Sequence, residues 1–341
     1  VCQCICLWLL GAQDAAQLPL QPGAQGPQQG RVRFLGEDVL GRRPNQIARM
    51  GMARTFQNIR LFRSMTALEN VEIGAERPGN TMIGKGDEAL TERAMEALTF
   101  VGLGSRANEL ISSFSYGHQR LIEIARALAS NPTLLLLDEP FSNLDVELRR
   151  RLSHEVREIL KARKTSAILV THDQEEAFAV SDQVGVFKDG RLEQWDTPFN
   201  LYHEPLTPFV ASFIGQGYFI RGQLLDPETV QTELGPIRGN RAYNWPSGSS
   251  VDVLLRPDDI VYRPDSPLRA LIVGKTFLGA STLYRLQLPT GNQLVAIFTS
   301  HADYPTGQEV GIAIAADHLV IFPAQGSVAA HETLQPATAA R

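Results

Sequence analysis

Cysteine is scarce in this chain of 341 residues, and the three that occur, Cys2, Cys4 and Cys6, all lie within the first six positions. The rest of the chain has no thiol from which a disulfide could form, which suits a cytoplasmic protein. The three cysteines lack a second group of ligands at a familiar spacing, so we expect incidental sequence here rather than a metal cluster. Long apolar runs are also missing, and without 18 consecutive apolar residues we expect no membrane-spanning helix.

Positive charge shows no excess. Lysine and arginine total 32 against 37 acidic residues, and the formal net charge is -5. That balance provides no basic surface, so we expect no nucleic acid among the partners. Hydrophobic residues make up 43% and charged residues 20% of the chain, as in ordinary globular proteins. The length predicts two domains, or three.

Residues 1–30 have a different composition from the rest. They contain seven glutamines and neither lysine nor arginine, and residues 18–30 are rich in proline and glycine. The short apolar run at residues 5–10 lacks the basic flank of a signal peptide. We therefore predict an irregular, aberrant segment over residues 1–30, with ordered structure beginning at Arg31.

The next part of the chain alternates between helical and strand patterns. The spacing of apolar residues predicts strands at residues 31–36, 134–137, 166–170 and 184–187. It predicts helices at residues 91–103, 117–129, 146–162 and 174–180. The uninterrupted apolar strands are typical of a parallel sheet covered on both faces. This alternation predicts a doubly wound α/β core over residues 31–214, with a helical subdomain at about 78–131.

Short strands dominate the chain after residue 215. They are predicted at residues 251–255, 270–273, 283–288, 294–298, 310–315 and 319–322. A hairpin turn is predicted at residues 289–292, where the sequence reads PTGN. We therefore expect a small all-β barrel domain over residues 215–323 and a loose tail over 324–341.

Two acidic residues follow the most apolar strand, in the sequence LLLLDEP at residues 134–140. Ligands bind beyond the carboxyl ends of parallel strands, so Asp138 and Glu139 are delivered to such a crevice. In a phosphoryl-transfer site Asp138 would help to hold Mg²⁺, and Glu139 would orient or deprotonate the attacking water. The alternative is a solvated acidic turn after a core strand.

Several other polar residues stand at the ends of predicted elements. Ser115, Gly117 and Gln119 open a helix, where free N–H groups suit a phosphate, although Ser115 could simply be an N-cap. His172 follows a strand and could contact a terminal phosphate or lie in a surface turn. Asp145 follows the acidic pair, where a turn and an N-cap are the simpler interpretation, and Gln57 could be ordinary polar surface.

Together these motifs, in this order, resemble those of the ABC-transporter ATPase family. The resemblance covers residues 31 to about 213 and implies a P-loop NTPase core. It implies that Gln57 is the Q-loop glutamine and His172 the switch histidine, that Asp138 is the Walker B acid and Glu139 the catalytic carboxylate. The same resemblance implies that Ser115, Gly117 and Gln119 belong to the family signature and Asp145 to the D-loop.

The resemblance also implies cofactors and partners. ATP and Mg²⁺ would be bound, with Asp138 and Gln57 near the metal. Two ATPase subunits, identical or different, would face head to tail, so that Ser115, Gly117 and Asp145 serve the partner's nucleotide. Transmembrane permease subunits, and indirectly a periplasmic or extracellular binding protein, would complete an importer, which places the chain at the cytoplasmic face of the membrane.

The C-terminal region resembles the regulatory β-barrel domain of importer ATPases, at residues 253–258 and 274–279. Up to about residue 137 the chain is most similar to branched-chain amino-acid importers, and from Phe141 onward to ferric-iron, sulfate and polyamine importers. Ferric iron is the favoured solute and branched-chain amino acids the runner-up. An ABC protein of translation or repair is disfavoured, because such proteins usually carry two cassettes or a coiled-coil insertion.

The phosphate-binding loop of this family, GxxxxGK[ST], is not found before residue 31, so the core is expected to be truncated at its N-terminus. Residues 79–86, GNTMIGKG, match seven of its positions but end in glycine and follow Gln57, so a linker is expected there. Two alternatives to an active ATPase remain open. The chain could be a catalytically impaired structural or regulatory subunit, or the product of a frame-shifted or mosaic gene.

Overall fold

The computed structural model describes residues 4–10, 31–75, 88–142 and 144–324, and of residues 4–10 the backbone alone. It forms two compact units, Val1–Pro198 and Phe199–Arg341. The packing divides the chain after Pro198, earlier than the domain boundary predicted near residue 214. That domain boundary stays a prediction. The predicted loose tail lies outside the described residues from position 325 onward.

The first unit is built on a sheet whose strands run in the order β4-β5-β6-β1-β7-β8. These strands are β1 (Cys4–Leu10), β4 (Met52–Arg54), β5 (Leu134–Asp138), β6 (Ser166–Thr171), β7 (Gln183–Lys188) and β8 (Arg191–Asp196). The pairs from β4 through β7 are parallel, and β8 is antiparallel to β7. The doubly wound α/β core is confirmed, with its parallel strands ending at one edge.

Strand β5 lies inside this sheet, between β4 and β6. Leu135 and Leu137 are fully buried and Leu136 nearly so. A strand covered on both faces needs apolar side chains at successive positions, which explains the run of four leucines. The sequence turns polar at Asp138, where the strand reaches the edge of the sheet.

The structure differs from the predicted irregular segment at residues 4–10, which form strand β1. This strand lies between β6 and β7, with Ile5 opposite both Ile168 and Gln183. Its uninterrupted apolar sequence is that of a central parallel strand. The pattern is short and adjoins residues 11–30, whose composition indicates neither helix nor strand and which lie outside the described part.

The strand predicted at residues 31–36 is a tight hairpin instead. Strand β2 (Arg33–Phe34) pairs with β3 (Glu37–Asp38) across Leu35 and Gly36. Both turn residues have positive φ, 51° and 82°. A two-residue turn with this backbone matches the twist of antiparallel strands, so the chain reverses earlier than the alternation alone predicts.

Helices cover the sheet and form the rest of the first unit. They are α1 (Pro44–Arg49), α2 (Ala67–Ala75), α3 (Glu88–Phe100), α4 (Tyr116–Ala129), α5 (Val146–Arg163) and α6 (Gln174–Val180). Helices α2, α3 and α4 pack on one another. The helical subdomain at about residues 78–131 stays a prediction, and α2 lies before its predicted start. Gly74 allows α2 to approach closely, since a Cβ there would lie 2.0 Å from the Arg126 carbonyl oxygen.

The second unit contains two antiparallel sheets that share one apolar core. Their strand orders are β11-β10-β9-β12-β18 and β13-β17-β14-β15-β16. The strands are β9 (Tyr218–Asp226), β10 (Thr229–Thr232), β11 (Gly235–Arg238), β12 (Ser250–Leu255), β13 (Ile260–Tyr262), β14 (Arg269–Phe277), β15 (Ser281–Gln287), β16 (Gln293–Thr299), β17 (Glu309–Ile314) and β18 (Val320–Pro323). The predicted all-β domain is confirmed, and the predicted turn at residues 289–292 joins β15 to β16.

Two short helices, α7 (Pro198–His203) and α8 (Pro208–Phe213), precede these strands. Arg256, which is buried, connects them to the end of β12. Its Nη2 donates to the Tyr202 carbonyl at 3.0 Å and its Nη1 to the Ala211 carbonyl at 2.9 Å. These bonds explain why residues 199–214 pack with the second unit. No helix in the described ranges has the length and apolar content needed to cross a membrane.

Candidate functional site

Asp138 and Glu139 lie at the carboxyl edge of the sheet, as the sequence predicts. Asp138 pairs with Val170 of β6, and the Glu139 N–H donates to the Val170 carbonyl at 2.8 Å. The acids therefore lie beside the end of β6, where His172 follows. Because parallel strands end together at this edge, residues 33 positions apart in sequence meet here.

The Glu139 carboxylate is held at both of its oxygens. The Gln57 amide Nε2 donates to Oε2 at 2.7 Å, and His172 Nδ1 lies 3.1 Å from Oε1. Glu139 itself has a φ of 41°, which is uncommon for a residue other than glycine. Such backbone geometry persists only where the surroundings enforce it, and it often marks functional sites. The structure thus brings together three residues that the sequence predicted separately.

Asp138 has a basic partner that the sequence analysis did not single out. Arg54, at the end of β4, places Nη2 2.7 Å from Asp138 Oδ2, and only 9% of the Arg54 side chain is exposed. The feature of the sequence that could have indicated Arg54 is its basic side chain at the last position of β4, the strand that pairs with β5. A partly buried carboxylate needs a counter-charge, and Arg54 supplies one.

A cleft of about 280 Å³ opens beside Glu139. Its lining consists of Gln57, Glu139, Ser142, Arg149, Thr171, His172, Asp173 and Glu176. Arg149 forms ion pairs with Asp173 and Glu176, and the Thr171 hydroxyl donates to Glu176. Burial raises the pKa of Glu176 above its ordinary value. The cleft is therefore polar and combines carboxylates with a fixed cation.

A second cleft, of about 260 Å³, contains the predicted signature residues Ser115 and Gly117. Ser115 is the N-cap of α4 and accepts from the His118 N–H, while its hydroxyl lies 3.1 Å from His118 Nδ1. A Cβ at Gly117 would lie 3.2 Å from Leu148 Cδ2, so glycine allows the starts of α4 and α5 to pack closely. The second cleft thus lies at the first turn of α4, where the partial positive charge of the helix dipole is located.

Asp145 is the N-cap of α5, where its side chain accepts from the Leu148 N–H at 2.9 Å. The simpler interpretation of Ser115 and Asp145 as helix caps is thus confirmed, and it does not conflict with a binding role. The Gln119 side chain has partners within the chain, and its predicted role at a nucleotide stays a prediction. Its amide donates to the Phe114 carbonyl at 2.9 Å and to the Ile111 carbonyl at 3.3 Å, so it satisfies backbone groups before α4.

The predicted site residues therefore form two groups. Gln57, Glu139 and His172 line one cleft, with Asp138 adjacent in sequence, whereas Ser115 and Gly117 line the other. The residues predicted to serve the chain's own nucleotide are separate from those predicted to serve a partner's. The assignment of individual roles stays a prediction.

Two further expectations concern phosphate binding. Residues 11–30, which contain no match to the phosphate-binding loop, lie outside the described residues. The partial match at residues 79–86 lies outside them as well. Strand β1, however, runs parallel to β6 with Trp8 opposite Thr171. Its carboxyl end at Leu10 thus points to the edge of the sheet that carries His172. In the described ranges, no group of three or more His, Cys, Asp or Glu side chains is arranged to hold a metal by itself.

Comparison with known proteins gives two family matches. Residues 20–142 match the ABC transporter family, and residues 253–322 match the TOBE domain. The two matches fall in the first and second compact units, which agrees with the α/β core and the all-β domain described above.

Curated relatives match most of the chain. An Fe(3+) ions import ATP-binding protein of Brucella melitensis is 33% identical over 311 residues, which is 90% of this chain and 86% of that protein. A protein of the same name from Rhizobium meliloti is 34% identical, over 84% of this chain and 80% of its own. A spermidine/putrescine import ATP-binding protein of Lawsonia intracellularis is 34% identical, over 93% of this chain and 89% of its own.

Solved structures agree with the fold. A nucleotide-free ATP-binding cassette from an ABC transporter superposes with a TM-score of 0.53 at 25% sequence identity, covering 63% of this chain and 88% of that chain. Another solved structure of an ATP-binding cassette of an ABC transporter gives a TM-score of 0.52 at 25% identity, covering 62% of this chain and 88% of that chain.

Proposed function

The chain belongs to the ABC transporter family of ATP-binding proteins, and from this membership we propose that it is the ATP-binding subunit of an importer, in which ATP hydrolysis drives the uptake of a small solute. The observation that carries the proposal is the Glu139 carboxylate, which is held between Gln57 and His172 at the carboxyl edge of the sheet.

The donors at this edge fit a magnesium nucleotide. Asp138, Glu139 and Gln57 offer carboxylate and amide oxygens, the hard ligands that Mg²⁺ prefers. When bound, Mg²⁺ would neutralise part of the phosphate charge. Asp138 and Gln57 would hold the metal, through a carboxylate oxygen and the side-chain amide oxygen.

Glu139 is placed to orient or deprotonate a water molecule. Its two oxygens are fixed by different donors, so a small shift of Gln57 frees Oε2 while His172 still holds Oε1. A carboxylate with one free oxygen and a fixed orientation can accept a proton from water at the cleft. His172, which is well exposed, can face the terminal phosphate from the same position.

The second cleft fits a nucleotide presented by another ATPase subunit. The N-terminus of α4 borders this cleft with the exposed Ser115 side chain, and a helix N-terminus suits a phosphate. Gly117 lies in the same first turn and allows α4 to pack closely on α5. We assign Ser115, Gly117 and Asp145 to this contact in a homo- or heterodimer. Gln119 is left out of this contact, since its amide donates to backbone carbonyls before α4.

We propose that movements of this subunit during ATP hydrolysis are transmitted to transmembrane permease subunits. Phe62 and Leu110 are about half exposed, with 52% and 49% of their surfaces accessible. The segments that carry them are adjacent, because the Ile111 N–H donates to the Met65 carbonyl at 3.1 Å. These two exposed apolar side chains, of which Phe62 follows Gln57 closely in sequence, would suit docking of an apolar permease segment at the cytoplasmic face of the membrane.

We propose ferric iron as the solute, on the strength of the relatives from Brucella and Rhizobium. Uptake of radioactive Fe³⁺ by cells that produce this chain with its permease should exceed uptake by cells that produce the Glu139→Gln variant. Uptake of radioactive spermidine or leucine by the same cells tests the other solutes. Spermidine uptake without Fe³⁺ uptake would replace iron by a polyamine, the solute named for the Lawsonia relative.

A further inference from the structure

The segment that carries Gln57 has no helix or strand of its own. Residues 55–62, named here the Gln57 loop, follow β4 without regular secondary structure. The backbone carbonyls of such a segment need other partners wherever water is excluded. Arg120 of α4 provides two of them, since Nη1 donates to the Phe56 carbonyl and Nη2 to the Gln57 carbonyl, each at 2.7 Å.

Arg120 is itself fixed by a neighbour on its helix. Its Nη1 also donates to Glu123 Oε2 at 2.6 Å, and the two side chains are 0% and 1% exposed. Glu123 Oε1 in turn accepts from the Arg60 N–H at 3.4 Å. Arg126, one turn further, donates to the Arg60 carbonyl at 2.6 Å. Three charged residues at i, i+3 and i+6 thus bind the backbone of one loop.

Burying these charged side chains costs more free energy than burying apolar side chains of similar size. Buried charges must be both paired and hydrogen-bonded to be tolerated. Burial raises the pKa of Glu123 and lowers that of Arg126. An apolar pair at positions 120 and 123 would fill the same space without this penalty, but it could not bond to the loop carbonyls. Holding the loop therefore explains why charges occupy these positions.

We propose that Arg120 is a positioning residue for Gln57, with Glu123 orienting its guanidinium. The planar fork of an arginine can bond to two carbonyls and a carboxylate together, and a lysine ammonium cannot reproduce that geometry. The helix that presents Ser115 at its start also fixes the distance of the Gln57 amide from Glu139. The consequence for ATP hydrolysis rests on the proposed function. The hydrogen bonds from Arg120 to the Gln57 loop, called here the tether, do not depend on it.

The test follows the side-chain amide of Gln57 by NMR in the full-length chain labelled with ¹⁵N-glutamine, without nucleotide. The signal is assigned by its loss in Gln57→Asn, and Glu139→Gln shows how it moves when its acceptor changes. The test variants are Arg120→Lys and the double variant Arg120→Met with Glu123→Leu. The matched control is Arg238→Met with Glu228→Leu, an exposed arginine–glutamate pair joined at 2.9 Å in the second unit.

The proposal predicts that the Gln57 signal shifts in both Arg120 variants, in the direction given by Glu139→Gln, and stays in place in the control. An unchanged signal in a folded Arg120 variant would overturn it. Arg120→Lys retains the charge opposite Glu123, so it keeps the test open if the double variant does not fold. Because no nucleotide is present, failure of the tether is distinguishable from failure of ATP binding.

Discussion

Removing Arg120 alone should destabilise the first unit in a pH-dependent way. In Arg120→Met the Glu123 carboxylate stays fully buried without its closest partner. Breaking a buried ion pair by deleting one member costs about 3–5 kcal/mol. Glu123 would keep the Arg126 guanidinium at 3.6 Å and the Arg60 N–H at 3.4 Å, so we expect the lower end of that range near neutral pH.

The sign of the pH dependence follows from the pKa of Glu123. Burial raises it above the ordinary value, and Arg120 is the largest charge that opposes this rise. A carboxyl whose folded pKa exceeds its unfolded value contributes stability below the unfolded pKa, and that contribution is lost as pH rises through the folded pKa. Without Arg120 the folded pKa rises further. The difference in stability between wild type and Arg120→Met should therefore shrink as pH falls towards 5.

Urea unfolding at pH 8 and pH 5, followed by circular dichroism, measures this difference. The double variant Arg120→Met with Glu123→Leu removes the stranded carboxylate and should lose only roughly 1–2 kcal/mol, from two carbonyl bonds, with no added pH dependence. A penalty for Arg120→Met that is equal at both pH values, or larger at pH 5, would refute the reasoning.

Three other predictions follow from the same structure. Gly74→Ala should destabilise the first unit by about 1–3 kcal/mol in urea unfolding, because its Cβ would lie 2.0 Å from the Arg126 carbonyl oxygen. Burial raises the pKa of Asp259 from 3.8 to about 6, so its contribution to stability is lost as pH rises from about 4 through 6. Asp259→Asn should abolish that loss in thermal unfolding, and an unchanged pH profile would contradict the assignment. In the assembled transporter, Glu139→Gln should lower ATP turnover at this chain's own site and Ser115→Arg at the partner's. Loss with Ser115→Arg alone would instead indicate a structural subunit.

Local patterns in the sequence were sufficient for most elements of the fold. Helix α4 begins after Ser115 and ends before Pro132, as its cap and its proline predict. Strand β5 was recognisable because a strand buried on both faces leaves an uninterrupted apolar run. These features depend on neighbours in sequence, so a single chain reveals them.

At the carboxyl edge of the sheet, Gln57, Glu139 and His172 were each singled out from the sequence, but their contacts were not predicted. Parallel strands deliver their carboxyl ends to one edge, which explains why Glu139 and His172 meet. The bond from Gln57 to Glu139 joins residues 82 positions apart, and Arg54 meets Asp138 across 84 positions. No periodicity encodes such pairs. Strand β1 was missed because its apolar pattern is short and adjoins a segment with no helical or strand period.

Binding of Mg²⁺–ATP to the purified full-length chain, measured by calorimetry, tests the central claim most directly. The proposed site predicts saturable micromolar binding that weakens at least tenfold in Asp138→Asn, whose neutral side chain no longer attracts the metal. Arg238→Met, on the second unit, should bind as the wild type does. Absence of a binding heat in the wild type, or equal affinity in Asp138→Asn, would contradict the claim that this edge of the sheet holds the nucleotide.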